Sequence, residues 1–319
     1  MAKIEGESGI QIVLVDGHNL MYRAHFGFSE LANRGKLTGV LYGSLSMLLP
    51  LVKRYPAARI AIVWDGGRGS AWRKLLMPGY KSGRVTRKDF PHAAIVDQAN
   101  ELYKWLRAAR VPQYRVHGME ADDLIAGICH GLRSRAELVT IYSADRDFCQ
   151  LVRNGVVLRR EPRGMQTGET LDARAVTQQF GVTPARWIIM RMLCGDRSDN
   201  IPSVRAGIGE KRAAILAASG WENESWSDVE RQAIQLNWAV TSMLYEDDDW
   251  RWSVAERAHP GVVENYKEVR QDAVKTLTME HRRAMVNLRQ KNWLTRRMSL
   301  VGFSEAWTLS RSLMQVSRW

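Results

Sequence analysis

Three stretches of the chain are almost continuously apolar and each closes on an aspartate. They are residues 10–16 (IQIVLVD), 59–65 (RIAIVWD) and 137–145 (ELVTIYSAD). Short runs rich in Ile and Val, without alternation, predict strands buried on both faces of a parallel sheet. Between them the pattern changes to a helical period. Thr38–Lys53 and Glu120–Leu132 predict helices, as does His92–Arg110, with Ile95, Ala99, Leu102, Trp105 and Leu106 on one face. Alternating strand and helix predicts an α/β fold with a central, mostly parallel sheet. From about residue 171 no strong strand follows. Residues 172–180, 184–195 and 209–219 predict short helices punctuated by glycine and proline. The expected organisation is an α/β core over residues 1–170 and a helical part over 171–319 packed on it. No internal repeat or low-complexity tract interrupts this pattern.

Composition narrows the class. The 319 residues are 45% hydrophobic and 25% charged, which are globular values and exclude a disordered or collagen-like chain. No apolar run approaches ~18 residues, so no transmembrane helix is expected. The N-terminus, MAKIEGESGIQ, does not read as a signal peptide. Cys129, Cys149 and Cys194 form no CxxC pair, which argues against a zinc site or a disulfide framework and for a reducing cytoplasm. A net charge of +12 favours an anionic partner, nucleic acid being the commonest. The charge is uneven: residues 66–110 and 281–319 each sum to +7, whereas 222–250 sum to −7.

The acids carry the chemical signal. Asp16 and Asp65 end two predicted strands, and Asp145 follows the third. Ligands of open parallel sheets bind at the carboxyl ends of the strands. Further acids cluster tightly in Glu120-Ala-Asp122-Asp123, Asp145-Arg-Asp147 and Asp196-Arg-Ser-Asp199, making nine acids in five places. Helix capping explains any one of these clusters but poorly explains all of them. Two carboxylates about 4 Å apart at an effective dielectric of 20 repel by about 4 kcal/mol. If the fold brings the set together, hard divalent cations with oxygen ligands supply the compensation, and Mg²⁺ or Mn²⁺ fit best. On a basic protein, two such ions suggest phosphodiester hydrolysis.

An ordered chain of motifs over about residues 10–220 resembles the 5′ nuclease (flap endonuclease) family. The motifs are Asp16-Gly-His-Asn-Leu with Tyr22-Arg23; Trp64-Asp65-Gly; Trp72-Arg73 and Pro78-Gly-Tyr80-Lys81-Ser-Gly-Arg84; Glu120-Ala-Asp122-Asp123-Leu; Ser143-Ala-Asp145-Arg-Asp147; Gly195-Asp196-Arg-Ser-Asp199-Asn200-Ile-Pro202; and Gly207-Ile-Gly209-Glu-Lys211-Arg212-Ala. The resemblance implies a PIN-like 5′ nuclease fold with a helical arch at about residues 66–91 and a helix–turn–helix at about 195–219. It also implies roles. Asp16, Asp65, Glu120 and Asp122 would form the tighter of two metal sites, and Asp145, Asp147, Asp196 and Asp199 the second. Asp122 would face both ions, and Asp123 would be a ligand or lie just behind one. Lys81 and Arg84 would steady the scissile phosphate. Tyr80 would stack a terminal base, Arg23 and Arg73 would contact DNA, and Gly207, Gly209, Lys211 and Arg212 would hold duplex phosphates. Ser203 and the extra residue at Arg205-Ala206 depart from the family's pattern, which bears on a monovalent cation held at the turn.

The implied function is a structure-selective 5′ nuclease: a two-metal 5′–3′ exonuclease or flap endonuclease acting on 5′ flaps, 5′ ends or RNA primer–DNA in replication or repair. Water would attack in line and leave a 5′-phosphate. With no polymerase segment in these residues, a stand-alone enzyme is expected, with a polymerase or single-strand-binding protein as possible docking partner and no membrane. Two other classes stay open. One is a branched-DNA-binding protein without activity, which the full acid set disfavours. The other is a PIN-like metal-dependent ribonuclease, from which Gly207–Arg212 discriminates. His18 reads as a hydrogen-bonded or surface histidine. Eight of the twelve tryptophans lie in residues 221–319, where core packing is the expected use.

Overall fold

The computed structural model describes residues 10–33, 35–83, 91–136, 138–160 and 168–279. Its strands are β1 (Gln11–Asp16), β2 (Ala32–Asn33), β3 (Lys36–Leu37), β4 (Arg59–Val63), β5 (Gln113–Tyr114), β6 (Leu138–Tyr142), β7 (Val156–Arg160) and β8 (Glu169–Leu171). The helices of the first half are α1 (Gly17–Gly27), α2 (Gly39–Arg54), α3 (Ala71–Leu76), α4 (His92–Ala108) and α5 (Ala121–Leu132). Those of the second half are α6 (Ala173–Phe180), α7 (Pro184–Cys194), α8 (Glu210–Ser219), α9 (Asp228–Thr241), α10 (Arg251–Ala258) and α11 (Val262–Thr278).

β2 and β3 form a small hairpin. The other strands make one six-stranded sheet in the order β5-β4-β1-β6-β7-β8, parallel except for β8. β1 is central. The chain leaves it toward β4 and β5, then crosses to β6 on its other side, so the strand order reverses at β1. Such a reversal opens a crevice beyond the carboxyl ends of the strands.

Alternation along the strands sorts the core into two layers. Ile12, Leu14, Ala61, Val63, Val139 and Ile141 face α5 and the helical second half, whereas Val13, Val15, Ile60, Ile62 and Tyr142 face α1, α2 and α4. The first cluster runs unbroken from Ile12 to Leu277, so residues beyond 171 share a core with the sheet. At one contact α11 touches α5 so closely that a Cβ on Gly127 would lie 1.9 Å from the Tyr266 hydroxyl. Trp226 and Trp252 are buried, as core packing requires, while Trp250 is exposed. No helix among the described residues is long and apolar enough to cross a membrane.

Candidate active site

The crevice is lined by acids because three parallel strands deliver them there. Asp16 is the last residue of β1 and caps α1, its Oδ1 accepting from Asn19 N at 3.0 Å. Its Oδ2 accepts from the Ser143 hydroxyl at 2.9 Å. Asp65 lies two residues beyond β4, and its Oδ1 accepts from Ala121 N at 2.7 Å, fixing the first residue of α5. Asp122 lies in that helix's first turn. Asp145 follows β6 and accepts from Asp147 N at 2.8 Å.

Electrostatic coupling shows that these carboxylates converge. Burial, together with Asp65 and Asp145, pushes Asp16 up to about 7. Asp122 is pushed well above the carboxylate range by burial and then by Asp145, Asp16 and Asp65. Burial and Asp145 push Asp147 up to about 7, with Asp196 and Asp199 adding and Arg191 opposing. Asp145 therefore borders both groups. A protein that presses acids together this way is short of positive charge at that point. The donors are carboxylate oxygens, without cysteine or histidine, which suits a hard divalent cation. Among the described residues, no three acidic, histidine or cysteine side chains stand at metal-holding distances, so binding an ion would draw them closer.

Two basic side chains lean into the cluster. Lys81, in a left-handed turn with φ 57°, is fastened through its amide to Asp199 O at 2.8 Å. Its ammonium pairs with Glu120, and Glu120, Asp199 and Asp122 hold its pKa up against burial. Arg191 of α7 is buried, its Nε 2.9 Å from Asp147 Oδ1, and it also pairs with Asp196. Hydrogen bonds from Ser198 and the Arg191 pairing hold Asp196 below the usual carboxylate range despite burial.

Arg73 and Tyr80 correct the sequence reading, and of the two places expected for Asp123 the structure excludes that of a ligand. Asp123 has no exposed surface; Arg73 grips it in a bidentate pair at 2.7 and 2.8 Å, and Leu244 N adds a third bond at 2.8 Å. It anchors α5 to the region after α9 and is not available to a metal. Arg73 is also spent on Glu120 (2.8 Å) and Val240 O (2.9 Å) and is buried, so it does not reach DNA. Tyr80 is 4% exposed, packed with Met77, Ile201 and Val240, its hydroxyl on Glu120 at 3.3 Å. The ring is enclosed in the core and offers no open face. Trp72, also in the expected arch, is fully buried. Arg84 lies outside the described residues, as does most of the later part of that arch.

Sequence reasoning quoted Ser143 and Asn19 within motifs but gave them no role, and it missed Arg191. Asn19 Oδ1 accepts from Ala144 N at 3.0 Å and so ties α1 to the loop after β6. An arginine in the apolar run WIIMRMLC was the one available signal for Arg191. His18 Nδ1 accepts from Asp65 N at 3.1 Å, the hydrogen-bonded use expected for it.

Beyond the acids, α7 and α8 enclose the turn 195–209. Gly207 takes φ 82°, and Gly209 caps α8, leaving Lys211 and Arg212 exposed on its first turn. Ser203 Oγ stands 2.8 Å from Arg205 O, 2.9 Å from Ile208 O and 3.3 Å from Leu193 O. Its single proton satisfies one of these carbonyls. Arg23 lies half-buried on α1, two turns beyond Asp16.

A parallel sheet with acids at its reversal point, a lysine leaning in and a helix–turn–helix beside it place the chain in the 5′–3′ nuclease class of fold. The chain belongs to the 5′–3′ exonuclease family: residues 11–181 match that family's N-terminal resolvase-like domain. It is 37% identical over 206 residues to DNA polymerase I of Pseudomonas aeruginosa, covering 64% of this chain and 22% of the polymerase. It is 34% identical over 253 residues to DNA polymerase I of Synechocystis, covering 75% of this chain and 24% of the polymerase. The chain thus spans about a quarter or less of the length of these relatives. Its fold is similar to that of the bacteriophage T5 5′-exonuclease with zinc bound: TM-score 0.66, 20% identity, 84% of this chain and 99% of that one. A T5 flap endonuclease structure with DNA and metal ions matches with TM-score 0.64 and 18% identity, over 83% of this chain and 99% of that one.

Proposed function

We propose that this protein is a divalent-cation-dependent, structure-selective 5′ nuclease that hydrolyses phosphodiesters in branched or 5′-ended DNA. The observation that carries this reading is the convergence of Asp16, Asp65, Asp122 and Asp145 at the carboxyl ends of three adjacent strands, with Asp16 and Asp122 held above the carboxylate range. Two Mg²⁺ ions, with Mn²⁺ as a substitute, fit such a donor set, one among Asp16, Asp65, Glu120 and Asp122 and one among Asp145, Asp147, Asp196 and Asp199. Bound there, they would lower the pKa of water and neutralise charge on the phosphate.

The chain's own groups do the positioning. Ser143 and Asn19 lock the Asp16 carboxylate, and Asp65 is locked on Ala121 N. Arg73 fixes Glu120 from behind. Lys81, close to Glu120, Asp122 and Asp199, places a cation where charge develops on the phosphoryl oxygens. Lys211, Arg212 and the α8 N-terminus would hold duplex phosphates without reading sequence. The oxygens around Ser203 suit a monovalent cation at the turn, despite the extra residue there. DNA with 5′ flaps, 5′ ends or RNA primers is the expected substrate, in replication or repair in the cytoplasm. Docking to a polymerase or a single-strand-binding protein fits such a role.

The test is cleavage of a 5′-labelled flap duplex with Mg²⁺ or with chelator, by wild type and Asp145→Asn. Short 5′ products that need Mg²⁺ and fall at least a hundredfold in Asp145→Asn are expected, from the usual size of losing one transition-state charge contact, about 10²–10³. Binding of the flap without cleavage under either Mg²⁺ or Mn²⁺ would replace this reading with that of a binding protein.

A further inference from the structure

One ion pair joins the acid crevice to the duplex-holding turn, and nothing described above uses it. Glu210 is the first residue of α8, and its Oε1 stands 3.1 Å from an Arg146 terminal nitrogen and 3.9 Å from Arg191 Nη1. Arg146 sits between Asp145 and Asp147 and opens the short 3₁₀ turn Arg146–Leu151. Arg146, Arg191 and Glu210 all line one cleft of about 930 Å³, which runs from Ala144 past Asp145, Asp147 and Asp196 to residues 207–210. The pair therefore links the two walls of that cleft.

Stability does not explain the pair. The Arg146 side chain is 44% exposed and that of Glu210 53%, and ion pairs so exposed contribute little. The helix dipole favours an acid on the first turn of α8, but gives no reason for that acid to turn toward Arg146. The local charge opposes it as well. Arg191 already carries Asp147 and Asp196, and Asp147 is pushed up by burial and by Asp145, so a further carboxylate is unwelcome there. Arg146 makes no other ion pair among the described residues. A guanidinium fork takes a phosphate as it takes a carboxylate. Glu210 also stands at the N-terminus of α8, where backbone N–H groups favour a phosphate.

We infer that Glu210 is a stand-in for a DNA phosphate. In the free protein it masks Arg146; in the complex a backbone phosphate entering the cleft takes its place on Arg146, and Glu210 turns to solvent. The inference rests on the nuclease reading above and adds a specificity to it. A phosphate that reaches Arg146 lies against the start of α8 and beside Asp145 and Asp147 at once. A duplex that touches Lys211 and Arg212 without entering the cleft leaves Glu210 paired and gains nothing from Arg146. The exchange thus favours a strand that runs on from the turn toward the acids.

The experiment uses the full chain in chelator and measures affinity for a 5′-flap duplex against salt concentration. Arg146→Gln is expected to bind about tenfold more weakly, the usual size of losing one charge-assisted contact, and its log–log salt slope should fall by about 0.9, the share of one phosphate. Arg146→Lys should keep the wild-type slope. Glu210→Gln should bind about threefold more tightly, since the pair it removes is an exposed one, and this gain should vanish when Arg146→Gln is added. A walk of single methylphosphonate linkages should find one position whose neutralisation weakens wild type and leaves Arg146→Gln unchanged. Wild-type affinity and slope in Arg146→Gln, or a Glu210→Gln gain that persists without Arg146, would overturn the exchange while leaving the nuclease reading intact. Failure of wild type to bind the flap and to cut it with Mg²⁺ would overturn both.

Discussion

Two buried arginines each bridge acids, and they do opposite things. Arg73 holds Asp123 and Glu120, with Asp123 wholly inaccessible and Val240 O filling another donor. Arg191 holds Asp147 and Asp196, but its pair lines an open cleft of about 930 Å³ that runs to Gly209. The chemistry of the contacts is the same. Access differs. The Arg73–Asp123 pair is closed, so it works as a joint between α3, α5 and the end of α9, while Glu120 turns its other oxygen to Lys81. The Arg191 cluster is only half neutralised: Asp196 is held down, yet Asp147 still rises to about 7 through burial and then the neighbouring Asp145. A buried ion pair is a structural device when sealed and an incomplete site when acids outnumber its cation.

Breaking the sealed cluster should have the larger effect on stability. Arg73→Met takes the cation from buried Asp123, while Glu120 keeps its pair with Lys81, and the loss expected for a broken buried pair is about 3–5 kcal/mol. Thermal or urea unfolding checks this, and added Mg²⁺ should restore little of the loss, because Asp123 stays sealed from any ion. Arg191→Met removes the cation from an open cleft, so a smaller loss of about 1–3 kcal/mol is expected in chelator. Here millimolar Mg²⁺ or Mn²⁺ should restore most of it, because an ion can replace the guanidinium. Equal response of the two variants to cation would erase the distinction.

A pH series sharpens the same contrast. Below about 4, Asp16 is protonated whether the chain is folded or not. Between its ordinary 3.8 and about 7, the folded protein holds a proton that the unfolded chain releases. The stability of the cation-free protein therefore falls through Asp16 as pH rises across that window and is constant above it. Asp16→Asn carries no such titration, so its melting temperature relative to wild type should climb by several degrees between pH 4 and pH 8. A difference that stays flat with pH would remove Asp16 from the strained set.

The sheet edge was legible in the sequence because burial on both faces writes itself as unbroken apolar runs. β1, β4 and β6 were placed to within a residue or two at their starts, and Asp16, Asp65 and Asp145 came with them. β7 was missed because Val156–Arg160 ends in two arginines, of which Arg159 is buried by bonding Gly168 O and Thr170 at the edge strand β8. α1 was missed because it opens on Gly17, His18 and Asn19, poor helix formers; Gly17 leaves room for Trp64, His18 holds Asp65 and Asn19 holds Asp16. Motif spacing gave the acids but not their depth. Asp123 and Asp122 are adjacent in sequence, yet a helix turns them to different sides, one to the crevice and one to Arg73. The partners that decide this, Val240 and Leu244, lie over a hundred residues away, beyond any local pattern.

The proposed function stands on the crevice acids binding divalent cations. Calorimetric titration of the metal-free protein with Mn²⁺ at pH 8, wild type against Asp16→Asn, tests it most directly. Two bound ions per wild-type chain are expected, with one of them lost or strongly weakened in Asp16→Asn. No binding at millimolar Mn²⁺, or an isotherm that Asp16→Asn leaves unchanged, would contradict it.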